Sequence, residues 1–265
     1  MKTQDYNYIV SKLLNTEVER PNKHDNGTLS GHAAGEPFEK LTYHLLKQKF
    51  PENIYKQYEF LNDLYMRHPL SISLKAKKAL FDSPVALFLL SRSDAATANW
   101  NPNNIFEEKQ DDTADILWYQ DNRFDLIDVK TRNISKDAMA PNIISAYKLA
   151  RACAIMIDNN DYDSVGLHYI EVEWKEVGDK LKCVNSHWKN LFLCSPQSLY
   201  INWSAAMQIQ FHVSSIDQNF TGDNESWARE YIRCFVESAE TRRNKIYEKY
   251  IQPFKKYIDG NVEQD

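Results

Sequence analysis

DTADILWYQDNRFDLIDVKTRN, residues 112–133, carries the reading that decides the fold. Asp121-Asn122 suits a two-residue hairpin turn, because Asn tolerates positive φ. A reversal there sets Gln120 opposite Arg123, Tyr119 opposite Phe124, Leu117 opposite Leu126 and Asp115 opposite Asp128. Directly opposed Cβ atoms lie about 4.5–5.5 Å apart. Lys130, two residues beyond Asp128, projects from the same face. Three charges therefore meet at one end of the hairpin, on a face that is otherwise apolar. Ile116, Trp118, Ile127 and Val129 occupy the other face, so both sides are expected to be covered, as in a sheet between helices.

Buried charge is costly unless it is paired or bound to metal. Two opposed carboxylates repel until something cationic sits between them. Mg²⁺ does so readily, taking one or two carboxylates and completing its shell with water and phosphate oxygens. Such an ion activates water and neutralises charge growing on phosphorus. The spacing is that of metal-dependent phosphodiester hydrolysis, here D-x12-D-V-K. The other reading is a salt-bridged hairpin end in which Lys130 satisfies both aspartates. Two further acid-x-Lys triplets occur, Glu107-Glu108-Lys109 and Glu173-Trp174-Lys175. The first lacks a strand pattern, and the second has no opposed acid, since Asp163 falls in a loop. Gln110, just upstream of Asp115, is a further candidate DNA contact. Glu36 and Glu39 fit the electrostatics of a helix start better than a metal.

The flanking chain reads as alternating element types. Residues 4–15 suggest a helix, and another is expected from Pro37 with Phe38, Leu41, Leu45 and Leu46 on one face. SLKAKKALF and PVALFLLSR suggest two helices broken at Ser83-Pro84, and Asn142–Asp158 suggests a buried helix. SVGLHYIEVEW and KLKCVNS flank a turn at residues 177–179 and read as a second hairpin. AAMQIQFHV reads as a strand with Gln208, Gln210 and His212 on its polar face. From Glu225 to Tyr257 the pattern is helical, with Pro253 as a kink. The expected architecture is a single α/β domain over residues 1–265, with a mixed central β-sheet flanked by helices. Segment 1–20 is its helical N-terminus and 225–257 its helical C-terminal region.

Bulk properties exclude several classes. No stretch is long and apolar enough for a membrane span, and the first residues lack a signal peptide's apolar core. The four cysteines have no metal-ligand or disulfide spacing, which fits reduced thiols in the cytoplasm. Seven histidines show no zinc or ββα-metal nuclease spacing. Net charge is −5, yet TRRNKIYEKYIQPFKK and the group Lys130, Arg132, Lys136, Lys148 and Arg151 are locally basic. A DNA cleft therefore remains open to this chain.

The wording of the chain adds a family. GTLSGHAAGEPFEKL, DDTADI, DVKTRNISK, APNIISAYKLA and LYINWSAAMQIQFHV together resemble the HincII/HindII type II restriction endonucleases, from about residue 20 to 256. The resemblance implies a homodimeric enzyme of the PD-(D/E)xK fold that cuts double-stranded DNA at GTYRAC, between Y and R, leaving blunt ends with 5′-phosphates. It implies that Asp115, Asp128 and the Val129 carbonyl hold Mg²⁺ and that Lys130 assists the water. It also implies that Asn142, Tyr200 and Asn202 approach the bases, although Asn142 equally suits a helix cap. Family members can carry a glutamine, inserted into the base stack, where this chain has Met139; an apolar wedge can also unstack a step. The competing classes are a structure-selective repair nuclease of the same fold and a non-catalytic DNA-binding module.

Overall fold

Ile116–Gln120 pairs antiparallel with Arg123–Asn133, Leu117 opposite Leu126 and Tyr119 opposite Phe124, as the sequence predicts. Asp121 and Asn122 both take positive φ, 51° and 63°, which a type I′ turn requires. The structure is a computed structural model that describes residues 1–21, 31–65, 74–92, 101, 103, 112–137 and 139–258. Gln110 and the Glu107-Glu108-Lys109 triplet lie outside the described residues.

In chain order the elements are α1 (Thr3–Leu13), β1 (Glu17–Glu19), α2 (Gly31–Lys49), β2 (Ile54–Tyr55), α3 (Gln57–Tyr65), α4 (Leu74–Asp82) and α5 (Pro84–Leu90). The hairpin follows as β3 (Ile116–Gln120) and β4 (Arg123–Asn133), then β5 (Asn142–Ser145), α6 (Ala146–Asn159), β6 (Val165–Val177) and β7 (Lys180–Asn190). The chain closes with β8 (Ile201–Asn202), β9 (Gln208–Gln210), α7 (Asn224–Ile246) and α8 (Gln252–Ile258). One six-stranded sheet runs β1-β7-β6-β4-β3-β2, and a three-stranded sheet runs β5-β9-β8. Because β4 and β6 pair in parallel while the other neighbours are antiparallel, the large sheet is mixed.

Both faces of that sheet are buried. Phe124, Leu126, Leu167 and Tyr169 pack with α5, α6, α7 and the small sheet. Ile116, Trp118, Ile127, Val129, Ile170 and Val172 pack with Tyr6, Ile9 and Leu13 of α1 and Phe38 and Leu46 of α2. None of the described helices is long and apolar enough to cross a membrane.

Four expectations need correcting. The helix expected from Asn142 begins at Ala146 with Ser145 as its cap, and Asn142–Ser145 is a strand paired with β9; Asn142 is therefore not a helix cap. The helix expected from Pro37 starts at Gly31 and carries Pro37 inside it, so Glu36 and Glu39 lie beyond its first turn. The strand expected over 205–213 contracts to Gln208–Gln210, since Ala206 and Met207 turn with φ of 51° and 56°. Segment 1–20 is not helical throughout, because β1 adds an edge to β7. At the other end, a π-helical turn at Tyr247–Ile251 joins α7 to α8. It widens the helix just before Pro253, whose ring would otherwise meet the carbonyl four residues back.

On the α1 face, Asp125 is fully buried. It accepts from the Tyr6 hydroxyl (3.1 Å) and Arg123 Nε (2.9 Å), pairs with the Met1 amino group and lies 3.2 Å from His168 Nε2. Burial pushes its carboxyl up, but His168, the amino terminus and Arg123 outweigh burial and hold it below the usual carboxylate range. Trp188 Nε1 donates to His168 Nδ1 (3.3 Å), which leaves the ring proton on Nε2, toward Asp125. Burial, partly offset by Asp125, lowers the pKa of the ring.

Both depressed groups bind fewer protons folded than unfolded, so their contribution is complete above the unfolded histidine value and declines in acid. The thermal midpoint is expected to fall as the pH drops below about 6.5, and His168→Gln to flatten the upper part of that fall. Asp125→Asn is expected to cost about 3 kcal/mol at neutral pH, because it leaves the buried amino terminus without its counter-charge. Calorimetry across pH checks both.

Candidate active site

The antiparallel ladder between β3 and β4 stops at Ile116–Ile127. Beyond it, the Val129 N–H donates to Asp115 Oδ2 at 2.7 Å. The aspartate side chain thus replaces the missing strand and is turned onto β4 beside Asp128. The residues leading into Asp115 are pinned: the Ala114 N–H donates to Gln57 Oε1 (3.0 Å), and the Thr113 hydroxyl donates to the Leu89 carbonyl (2.5 Å). Lys130 Nζ lies 2.7 Å from Asp128 Oδ2. Asp115, Asp128 and Lys130 therefore come together as the sequence predicts.

Burial first, then the charge of Asp128, pushes the Asp115 carboxyl up to about 9, with Glu39 adding to the shift. Burial alone would lower the Lys130 ammonium, yet Asp128 and then Asp115 outweigh it and hold the pKa above the usual lysine value. Lys130 is thus a fixed cation. It satisfies one oxygen of Asp128 and leaves the carboxylates repelling each other, so the salt-bridged reading accounts for only part of the site. The oxygen donors left between them suit a hard divalent cation.

These groups open into a cleft of about 1030 Å³ lined also by Glu39, Thr113, Val129, Asn142, Ser145, Lys148 and Gln208. α2 closes one wall, and its approach depends on a glycine, because a Cβ at Gly35 would sit 2.9 Å from Thr131 Oγ1. Glu39 of that helix, expected to serve a helix start, lines the cleft wall, lies 3.6 Å from Lys56 Nζ and acts on Asp115 through its charge. The Glu173 triplet is accounted for otherwise: Glu173 pairs with Arg132 and lies 3.7 Å from His187 Nε2.

The candidate base-reading residues divide between two places. Asn142 is in the cleft, whereas Tyr200 and Asn202 line a neighbouring groove of about 690 Å³ against Arg242 and Lys245 of α7. Gln210 bridges them, donating to Asn142 Oδ1 (2.8 Å) and accepting from Asn202 Nδ2 (2.9 Å). Gln210 and Gln208 were legible as a polar strand face but had no role until β9 paired with β5 and β8. Met139 is 82 % exposed on the connection between β4 and β5.

A family profile described as "Restriction endonuclease HincII" matches residues 9–258. The type II restriction enzyme HindII of Haemophilus influenzae is 55% identical over 253 residues, covering 96% of this chain and 97% of its own. The type II restriction enzyme HincII of Haemophilus influenzae is 54% identical over 253 residues, with the same coverage of 96% and 97%. Among solved structures, the NlaIV restriction endonuclease aligns over 100% of this chain and 92% of its own, with 10% identity and a TM-score of 0.38, too weak a likeness to build on.

A buried carboxyl with a raised pKa destabilises the fold as pH climbs above its unfolded value. Asp115→Asn keeps the acceptor for Val129 and removes that term. In chelator, the variant is expected to be more stable than the wild type at pH ~7.5 by about 1–4 kcal/mol. The gain should vanish near pH ~4, as followed by denaturant unfolding.

Proposed function

Because the chain belongs to the HincII restriction endonuclease family, a family of type II site-specific deoxyribonucleases, we propose that the cleft at the end of β3 and β4 is its Mg²⁺-dependent DNA-cutting site. The observation that carries the reading is the mutually repelling pair of half-buried Asp115 and buried Asp128 beside the fixed ammonium of Lys130. In this reading the PD-(D/E)xK motif is Asp115, Asp128 and Lys130, and the Val129 carbonyl joins the two aspartates in holding the metal. The ion supplies Lewis acidity and neutralises charge growing on the scissile phosphate.

The chain's own residues do the rest. Asp115, fixed by the Val129 N–H, and Asp128, fixed by Lys130, hold their oxygens toward the cleft without reorganising when substrate arrives. Lys130 keeps its proton, so it acts as a charge and hydrogen-bond donor: its Nζ orients the attacking water and stabilises the anionic oxygens in the transition state. The attacking water gives up a proton to solvent as its oxygen forms the new P–O bond and, in line, the bond to O3′ breaks. The products are a 5′-phosphate and a 3′-oxygen that takes a proton from solvent.

For recognition, the proposed target is GTYRAC, cut between Y and R to leave blunt ends. Asn142, Tyr200 and Asn202 carry amide or hydroxyl groups suited to base edges, and the Gln210 bridge fixes the two asparagines relative to each other. Met139, exposed on the connection between β4 and β5, serves as an apolar wedge at the deformable YR step. Gln110 is retained as a DNA contact on sequence grounds. A palindromic target is matched by a homodimer, for which the exposed Tyr250, Ile251, Phe254 and Tyr257 supply apolar surface. Four free cysteines are in keeping with a cytoplasmic enzyme.

Incubation of plasmid DNA with the protein and Mg²⁺ is expected to give discrete blunt-ended fragments whose ends sequence to GTY and RAC. A smear, nicks alone or cleavage confined to flaps and junctions would overturn the reading. Asp128→Ala is expected to lower cutting on the order of a thousandfold or more while DNA binding stays measurable.

A further inference from the structure

Resting on that reading of the cleft, we propose that Lys148, at the first turn of α6, is a second substrate-binding cation that takes a non-bridging phosphate oxygen of the cleaved strand.

Lys148 is only 4 % exposed, and it lines the same cleft as Asp115, Asp128 and Lys130. Its ammonium donates to Thr113 Oγ1 at 2.5 Å, a neutral partner. Among the described residues no carboxylate lies within ion-pair distance of it; Asp112, the nearest acid in its electrostatic surroundings, is engaged by Arg92 at 3.1 Å. Burial lowers the ammonium to about 8, with Asp112 opposing the shift. A desolvated cation with no counter-ion among the described residues opposes folding. The charge is balanced once an anion enters the cleft.

The surroundings agree. Lys148 belongs to the first turn of a 14-residue helix capped by the Ser145 hydroxyl, and Ser145 lines the cleft with it. The positive end of the helix therefore points where the ammonium points. Of the other basic residues expected around the hairpin end, Arg132 pairs with Glu173, Arg151 lies over the Phe88 ring, and Lys136 is exposed and outside the lining of the cleft. Lys130 and Lys148 thus make a two-cation cleft, Lys130 bound to the metal-holding acids and Lys148 left for the strand.

The test uses the full chain and a duplex that the wild type cuts with Mg²⁺. Binding is measured in chelator between about 50 and 200 mM KCl, beside the thermal midpoint without DNA. Lys148→Met is expected to reduce the slope of log K against log [KCl] by about 0.9 per active site and to slow cleavage, while the midpoint stays level or rises. Thr113→Val, which removes the hydroxyl partner and keeps the charge, is expected to leave the slope unchanged. If Lys148→Met keeps the wild-type slope, whether or not the midpoint falls, Lys148 merely braces Thr113 and the proposal fails. If Lys148→Met does not fold, an unchanged slope in Lys148→Gln overturns it equally. A wild type that cuts no DNA would instead sink the reading of the cleft itself.

Discussion

Where β3 runs out, one backbone N–H on β4 is left without a strand partner, and the Asp115 carboxylate takes it at 2.7 Å. That bond turns an acid inward onto a strand that already presents Asp128. The I′ turn fixes the register, and the register fixes which carboxylates meet at the wall of the cleft. A one-residue slip would send Asp128 and Lys130 to the opposite face and scatter the site.

The same hairpin buries another acid with the opposite outcome. Asp125 faces the α1 side and is met by a hydroxyl, a guanidinium, an amino group and an imidazole. Its charge is fully answered, and the group braces α1 against the sheet. Asp115 and Asp128 have one backbone N–H and one ammonium among their four oxygens. Sequence alone treats the three aspartates alike. Donor supply separates the structural carboxylate from those held ready for a cation.

A similar contrast runs through the basic residues. Arg132 is consumed by buried glutamates, while Lys148 is buried with, among the described residues, a hydroxyl as its hydrogen-bond partner. The cleft thus keeps positive charge facing the place where a phosphate backbone would run, even though the whole chain is acidic. Rigid neighbours hold these groups: Gln57 and Thr113 pin the approach to Asp115, Gly35 lets α2 close against Thr131, and Gln210 ties β5 to β8 and β9.

By itself, the sequence determined the local and the alternating: a two-residue reversal at Asp121-Asn122, the facing of Asp115 and Asp128, Lys130 beside them, and a sheet covered on both sides. Those follow from turn chemistry and a period of two, which need only adjacent residues. Family wording then supplied the enzyme class. Tertiary structure alone decided that Asn142–Ser145 is a strand, because an apolar run that short fits helix or sheet until β9 supplies hydrogen-bond partners. It also decided that α2 starts early enough to set Glu39 in the wall of the cleft, and that Lys148 faces the cleft and not solvent. Burial and counter-charge depend on residues distant along the chain, and no local pattern carries that information.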